Sequence, residues 1–183
     1  LARVTAEQDI TCVHFVPTML AAFITSPTAR RVLKSAGFGP QETDRRLRYL
    51  VCSGEALQKD QVLGAHRVLG AYPLNLYGPT EATVFATAGE QNAGPVDIGL
   101  PLPGVEIRVL DDYLVPVADG ALGDLYLVGS QIAFGYVGRA DLTAASFVAD
   151  PQGTGRVMYR TGDQVRRHAD GRLTYWGRRD QPI

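Results

Sequence analysis

Three short apolar runs in the first half of the chain are separated by segments with helical spacing. The runs are "ITCVHFV", "LRYLVCSG" and "PLNLYG", and Pro17 ends the first of them. Pro27 is suited to a helix start, and the segment "QKDQVLGAHRVLG" carries apolar residues at helical spacing until Gly70. Parallel strands need a crossover between them, and a helix commonly supplies it. The order of strand, helix and strand therefore predicts a parallel sheet covered by helices over residues 1–95.

The second half of the chain has a different pattern. The segment "VEIRVLDDYLVPVADGALGDLYLVG" consists of short alternating runs separated by Asp, Gly and Pro. Such punctuation is typical of antiparallel strands, so residues 96–180 are predicted to form a small, barrel-like β module. The boundary is expected in the Gly- and Pro-rich stretch "AGPVDIGLPLPG".

Composition gives no reason to expect nucleic acid or a membrane as a partner. The formal net charge of the 183 residues is −1, which gives no electrostatic reason to expect nucleic acid or a membrane surface as a partner. No apolar run is long enough to span a bilayer and no leader-like segment opens the chain, so we expect a soluble, cytoplasmic protein. Cys12 and Cys52 both lie in apolar runs, and each is predicted to be a buried free thiol.

The motif "NLYGPTE" follows the third predicted strand, at the edge of a parallel sheet where ligands bind. The ring of Tyr77 offers a face for stacking, and the amide of Asn75 can read the edge of a base. Gly78 lets the backbone approach a ligand closely. Thr80 can donate to a phosphate, and Glu81 can hold Mg²⁺. The alternative is a strand that ends in a Gly-Pro turn with an exposed acid.

Four further segments decide between these interpretations: "LVCSGEAL", "DLYLVGSQIAFGYVGRADLTAASF", "YRTGD" and "DGRLTYWGRRD". With them, the chain resembles the adenylate-forming enzymes, and specifically the adenylation domains of nonribosomal peptide synthetases. The Gly-Pro-Thr-Glu sequence favours the peptide synthetases over the acyl-CoA ligases. The resemblance implies the C-terminal part of a parallel-sheet α/β layer followed by the barrel-like module, with a hinge to a further subdomain starting at 181–183.

The resemblance also implies a nucleotide site. Tyr77 resembles the residue that stacks on adenine, and Tyr175 the residue that covers the opposite face. Asp163 resembles the acid that accepts the ribose hydroxyls, and Arg178 a basic contact to the nucleotide. The other implied nucleotide-binding residues are Gly54, Glu55, Ala56, Asn75, Gly78 and Thr80. The implied catalytic residues are Thr80, at the α-phosphate, and Glu81, which would coordinate Mg²⁺.

The implied reaction joins an amino acid to AMP from ATP, with loss of pyrophosphate. A phosphopantetheine thiol on a peptidyl carrier protein then takes the aminoacyl group. Asp180 falls at the implied hinge, and residues 138–151 correspond to the region that contacts a small MbtH-like accessory protein. The phosphate loop and catalytic lysine of the family are not among these 183 residues, so we expect this stretch alone to be an inactive fragment.

Fixed offsets from the same motifs imply an amino-acid pocket lined by His14, Val51, Ser53, Leu76, Val84 and Phe85. The run of His, Val, Ser and Leu resembles the lining of serine-activating domains. Phe85 departs from that lining, because serine pockets usually carry an acid there. The expected substrate is L-serine or another small polar amino acid.

Other interpretations stay open at this point. The chain could be a non-catalytic nucleotide-binding fragment or an interaction module, or, within the same superfamily, part of an acyl-CoA ligase. The segment 138–151 could form a plain surface helix. His14 could be a core histidine whose hydrogen bonds are satisfied within the protein.

Overall fold

The computed structural model describes residues 1–8, 10–40, 47–153 and 155–180. In this part of the chain the helices are α1 (Ala2–Glu7), α2 (Pro17–Thr25), α3 (Pro27–Ser35), α4 (Lys59–Leu69) and α5 (Ala140–Ser146). The strands are β1 (Cys12–Phe15), β2 (Tyr49–Ser53), β3 (Leu74–Tyr77), β4 (Thr87–Glu90), β5 (Leu100–Pro101), β6 (Val105–Leu110), β7 (Leu122–Gly129), β8 (Phe147–Ala149), β9 (Val157–Arg167) and β10 (Leu173–Arg178). None of these helices is long and apolar enough to cross a membrane.

These elements form two compact units, and the chain passes between them three times. The first unit contains Leu1–Leu76 and Gly89–Val96. The second contains Tyr77–Ala88 and the chain from Asp97 onward. The sequence predicted a single passage near residue 95, whereas the segment after Leu76 already belongs to the second unit. The predicted start of the hinge, 181–183, lies outside the described residues.

The first unit is built on parallel strands, as predicted. β1 pairs with β2, and β2 pairs with β3, all in parallel. Side chains of a strand point alternately to its two faces, so one face of this sheet carries Phe15, Leu50 and Cys52, which are buried. Residues of α2, α3 and α4, among them Leu20, Leu33 and Val62, complete this core. The prediction of a parallel sheet covered by helices is confirmed.

Local signals explain where the helices of this unit begin and end. Pro17 and Pro27 occupy the first positions of α2 and α3, where a missing N–H has no cost. The side chain of Ser26 accepts a hydrogen bond from the backbone N–H of Ala29 and so caps α3. Gly70 ends α4 in the left-handed conformation with φ 73°, which a glycine adopts without strain.

The second unit contains the antiparallel sheet that the sequence predicted. The strand order is β10, β9, β7, β6, and β8 pairs with β9. β4 and β5 form a further antiparallel pair through Thr87 and Ala88. The apolar core includes Leu125, Leu127 and Val165, which have no exposed surface. β9 is 11 residues long and pairs with β7, β8 and β10, so it connects these three strands in one sheet.

The two cysteines differ in exposure. Cys52 is buried, and Cys12 is exposed. The prediction that both thiols are buried is therefore wrong for Cys12. The reason is strand alternation: Cys12 and His14 lie on one face of β1, and Phe15 lies on the face that packs into the core.

We predict that native protein reacts with a thiol reagent only at Cys12. Burial raises the pKa of the Cys52 thiol to about 12, so near pH 8 it is neither accessible nor ionised. Titration with a chromogenic disulfide should give one thiol in native protein and two in denaturant. Cys12→Ser should abolish the native reaction. Two thiols that react at equal rates without denaturant would contradict the burial of Cys52.

Candidate active site

The predicted pocket residues of the first unit lie on one face of its sheet. His14 stands opposite Val51 in the pairing of β1 with β2. Ser53 stands opposite Leu76 in the pairing of β2 with β3. Val51 and Ser53 are two residues apart on β2, so all four side chains project from the face opposite the buried core. The strand register thus brings together four residues that are up to 62 positions apart in sequence.

A polar pair stands on this face. Nε2 of His14 and Oγ of Ser53 lie 2.7 Å apart, within hydrogen-bonding distance. Ser53 is buried and His14 is exposed. Val51 and Leu76 supply the apolar part of the same face. The arrangement combines two groups that can bind a small hydroxyl with aliphatic side chains that limit the space beside it.

The turn after β2 carries three of the predicted nucleotide-binding residues. Gly54 has φ 88°, a conformation that favours glycine, and Ala56 is exposed. The carboxylate of Glu55 accepts hydrogen bonds from the backbone N–H and the hydroxyl of Thr18, both at 3.0 Å. Glu55 therefore binds the first turn of α2, a role that the sequence did not reveal. Asn75, the remaining predicted residue of this unit, is buried on the core face of β3.

Two residues of the second unit, each from a signature motif, meet at a hydrogen bond. The hydroxyl of Tyr77, from "NLYGPTE", donates to the carboxylate of Asp163, from "YRTGD". Burial, followed by the negative charge of Asp163, raises the pKa of the Tyr77 phenol well above its usual range, so the phenol is a neutral donor. Burial also raises the pKa of Asp163, against the opposing effects of Tyr77 and Arg178. The carboxylate is therefore kept in this position at a cost to stability whenever it is ionised.

A bulge in β9 directs Asp163 to this position. Arg160 pairs with Tyr126 of β7, and Gln164 pairs with Asp124, so residues 161–163 stand opposite Leu125 alone. The hydroxyl of Thr161 donates to the Leu125 carbonyl and accepts from the backbone N–H of Asp163. Bulges of this kind commonly redirect a side chain beside a site.

Arg178 lies beside the same carboxylate. The register of β9 and β10 places it opposite Asp163, with Nη1 and Oδ1 3.6 Å apart. Its Nε also donates to Asp180 at 2.9 Å. Its guanidinium lies across Gly162, where an added Cβ would stand 2.9 Å from Nη2. Gly162, which the sequence did not single out, has φ 77° and leaves the space that Arg178 occupies.

Tyr175 joins this group on β10. Its ring centroid lies 6.4 Å from that of Tyr77, and the two planes are tilted by 41°. The two rings therefore lie within the range of direct aromatic contact. Stacking of a base between them stays a prediction.

The turn after Tyr77 is tight and strained. A Cβ on Gly78 would stand 2.5 Å from the carbonyl oxygen of Val84, so only glycine fits there. Thr83 and Val84 both have positive φ, 52° and 75°. Such a conformation is rare for a β-branched residue and costs roughly 1–3 kcal/mol, a strain that is common at functional sites. The turn exposes Val84 and leaves Phe85 partly buried, and both are predicted pocket residues.

Glu81 is the candidate metal ligand, and the exposed Thr80 precedes it in a short 3₁₀ turn. Burial alone would raise the pKa of Glu81, but hydrogen bonds from the hydroxyls of Tyr136 and Tyr159 and the charge of Arg178 lower it. The carboxylate is therefore ionised near neutral pH.

The single carboxylate of Glu81 is compatible with Mg²⁺, although the described residues contain no group of three or more His, Cys, Asp or Glu side chains that could hold a metal ion by themselves. Mg²⁺ commonly binds through one or two carboxylates together with the phosphates of a substrate. An ionised Glu81 can supply the protein's share of such a site.

Comparisons with known proteins identify relatives of this chain. The model of the AMP-binding enzyme family matches residues 1–137. Enterobactin synthase component F of Escherichia coli (strain K12) is 43% identical over 186 residues, covering 97% of this chain and 14% of that protein. A dimodular nonribosomal peptide synthase of Bacillus subtilis (strain 168) is 42% identical over 187 residues, covering 100% of this chain and 7% of that protein. This chain thus spans only a small part of these relatives.

A solved structure is also similar. The crystal structure of IdnL1 matches with a TM-score of 0.84 and 29% sequence identity, over 97% of this chain and 36% of that chain. The similarity therefore includes the parallel sheet and the antiparallel sheet, and it supports the fold class predicted from the sequence.

We predict that Asp163→Asn changes the pH dependence of stability. Because the pKa of Asp163 is raised in the folded state, its contribution is favourable below the ordinary value of 3.8 and is lost as pH rises through the folded value. The free energy of unfolding of Asp163→Asn should therefore rise, relative to wild type, between pH 4 and pH 7. Urea unfolding at both pH values measures this difference.

Glu106→Gln is a control in which the pH dependence of stability should change in the opposite direction. Hydrogen bonds from Arg156 and Arg108 lower the pKa of Glu106 to about 2, so its contribution is present above the ordinary value of 4.5 and lost as pH falls toward 2. This variant should lose stability relative to wild type as pH rises from about 2 through 4.5, and the last part of this loss falls above pH 4. Equal trends for the two variants would contradict the raised pKa of Asp163.

Proposed function

Because this chain belongs to the AMP-binding enzyme family, we propose that its parent protein is a nonribosomal peptide synthetase in which these residues help to activate an amino acid with ATP. In this reaction the substrate carboxylate attacks the α-phosphorus, pyrophosphate leaves and an aminoacyl-adenylate forms. The protein supplies no covalent nucleophile, so its residues act by positioning and by stabilising charge. The similarity to enterobactin synthase component F and to the dimodular synthase supports this assignment.

The observation that carries the proposal is the hydrogen bond between Tyr77 and Asp163. It joins two motifs that lie 86 residues apart and brings an aromatic ring, a carboxylate and the guanidinium of Arg178 together. A flat ring can stack on a base, and a carboxylate can accept the two hydroxyls of a ribose. These groups match the base and sugar of a nucleotide.

Glu81 would hold Mg²⁺ in this site. Bound there with the phosphates, Mg²⁺ would neutralise the charge that develops as pyrophosphate leaves. Thr80, exposed beside Glu81, would donate its hydroxyl to the α-phosphate. Gly78 would let the backbone of this turn approach the nucleotide.

The proposed substrate is L-serine or another small polar amino acid. Its support is the polar pair formed by His14 and Ser53, with Val51 and Leu76 on the same face. A site that hydrogen-bonds a substrate hydroxyl discriminates against an analogue without it, because the site's polar groups then lose a partner. Phe85 is apolar where serine pockets usually carry an acid, so it offers no counter-charge to a basic side chain.

We also propose two protein partners, one from the reaction and one from the family resemblance. A carrier-protein domain would present the phosphopantetheine thiol that takes the aminoacyl group. An MbtH-like accessory protein would contact residues 138–151, where α5 exposes Ala144 and Ala145. Small exposed side chains of this kind can fit between the larger side chains of a partner.

In the full-length parent protein, Asp163→Asn should raise the KM for ATP by about tenfold or more. A hydrogen bond to a charged group is worth about 1.5–3 kcal/mol, and an amide accepts the ribose hydroxyls without that charge. The KM for the amino acid should change much less. ATP–pyrophosphate exchange measures both constants, with Asp170→Asn, at an exposed turn, as the control. An unchanged KM and turnover for ATP would remove Asp163 from the nucleotide site.

The substrate assignment is tested by exchange assays with L-Ser, L-Thr, L-Ala and L-Phe. We expect L-Ser to exceed L-Ala by about tenfold or more in kcat/KM, the scale of one buried hydrogen bond. His14→Ala should remove most of this difference. His168→Ala is a matched control, because its Nε2 lies at the same 2.7 Å from a hydroxyl, that of Thr174, outside the predicted pocket.

Two results would argue against this pocket. A preference for L-Phe would exclude a small polar substrate. A ratio of L-Ser to L-Ala that His14→Ala leaves unchanged would exclude the polar pair as its cause, without affecting the proposed adenylation.

A further inference from the structure

Tyr136 contacts the candidate metal ligand directly. Its hydroxyl donates to Oε1 of Glu81 across 2.5 Å. Tyr136 follows β7 in the segment "AFGYVGR", 55 residues from Glu81, and none of the predicted site residues comes from that segment. The hydroxyl of Tyr159 also hydrogen-bonds this carboxylate, so two tyrosines contact Glu81.

The ring of Tyr136 is fixed by aromatic contacts. It meets Phe147 edge to face, with centroids 5.6 Å apart and planes inclined by 71°. Phe147 in turn contacts Tyr159, with centroids 5.0 Å apart. Aromatic pairs at these distances and angles are favourable contacts. The hydroxyl is therefore presented by a ring that neighbouring side chains hold in place.

The backbone around Tyr136 is tied on both sides. Its N–H donates to the hydroxyl of Thr143 on α5 at 2.9 Å. The N–H of Ala133 donates to the carbonyl of Glu81 at 2.8 Å. The hydroxyl of Thr83 donates to the carbonyl of Gln131 at 2.7 Å. The last two of these hydrogen bonds join residues 131–136 to the turn that carries Glu81. The bond from the Tyr136 hydroxyl to the Glu81 carboxylate is a third connection between the same segments.

We propose that Tyr136 is a positioning residue for Mg²⁺: its hydroxyl holds Oε1 of Glu81 and so fixes the orientation in which this carboxylate would meet the metal. The inference rests on the proposed function, in which Glu81 binds Mg²⁺ with the phosphates of ATP. Groups that hydrogen-bond a ligating carboxylate orient it, and their loss typically weakens metal binding 10- to 100-fold. Thr143 and Phe147 act one step further away, by holding Tyr136.

Tyr136→Phe tests this role, because it removes the hydroxyl and keeps the ring that packs on Phe147. Binding of Mn²⁺, as a paramagnetic substitute for Mg²⁺, is measured by electron paramagnetic resonance. The sample is the full-length parent protein saturated with a non-hydrolysable ATP analogue. We expect the Kd for Mn²⁺ to rise roughly 10- to 100-fold. Binding of the analogue in the presence of EDTA should stay unchanged.

Two comparisons separate positioning from a general structural effect. Tyr126→Phe makes the same chemical change at a buried tyrosine of β7, which packs with Leu110, Val128 and Met158, and it should leave the Kd for Mn²⁺ unchanged. In a Glu81→Gln background, Tyr136→Phe should have little further effect, because the carboxylate it positions is already absent.

The outcomes are distinct. An unchanged Kd for Mn²⁺ in Tyr136→Phe, or an equal additional loss in the Glu81→Gln background, would overturn the role of Tyr136 while wild-type exchange activity kept the proposed function intact. A wild-type protein with neither amino-acid-dependent exchange nor nucleotide-dependent Mn²⁺ binding would overturn the proposed function, and this inference with it.

Discussion

The bulge in β9 is the constraint on which the candidate site of the second unit depends. A regular strand would continue its pairing with β7, and residues 161–163 would alternate between the two faces of the sheet. Instead these three residues stand opposite Leu125 alone, and Thr161 closes the gap with its hydroxyl. The bulge is stable because β9 is paired with β7, β8 and β10. Asp163 is thereby held against Tyr77 and Arg178 by the sheet itself.

The candidate site carries costs that packing elsewhere must offset. Asp163 is a buried carboxylate whose pKa burial raises, and Val84 has a positive φ despite its branched side chain. Each feature is unfavourable by itself, and each persists because the surroundings determine it. The Tyr77 hydroxyl satisfies Asp163, and the close approach at Gly78 holds the backbone of Val84. Unfavourable groups held in this way are common where a protein binds or reacts.

The two faces of the parallel sheet in the first unit carry different kinds of side chain. One face carries the buried residues Phe15 and Cys52, and it packs against helices. The other face carries His14, Ser53 and the apolar residues that accompany them. Alternation along a strand therefore places adjacent residues on the core face and on the face that carries the proposed pocket residues. The residues proposed to line the amino-acid pocket are therefore separate from the side chains of the apolar core.

Much of this protein follows from the sequence alone. Apolar runs, prolines and glycines marked β1 to β3 and α2 to α4, because strand and helix formation respond to local periodicity and to residues with restricted backbones. The motifs "NLYGPTE" and "YRTGD" identified the candidate nucleotide site, because they carry the chemistry in a few consecutive residues. Only the tertiary structure decided the contacts between distant segments. It placed Tyr136 on Glu81, Glu55 on Thr18 and Gly162 beneath Arg178, and it left Cys12 exposed. These contacts depend on strand register and loop path, which arise from the packing of the whole chain and have no signal in the local sequence.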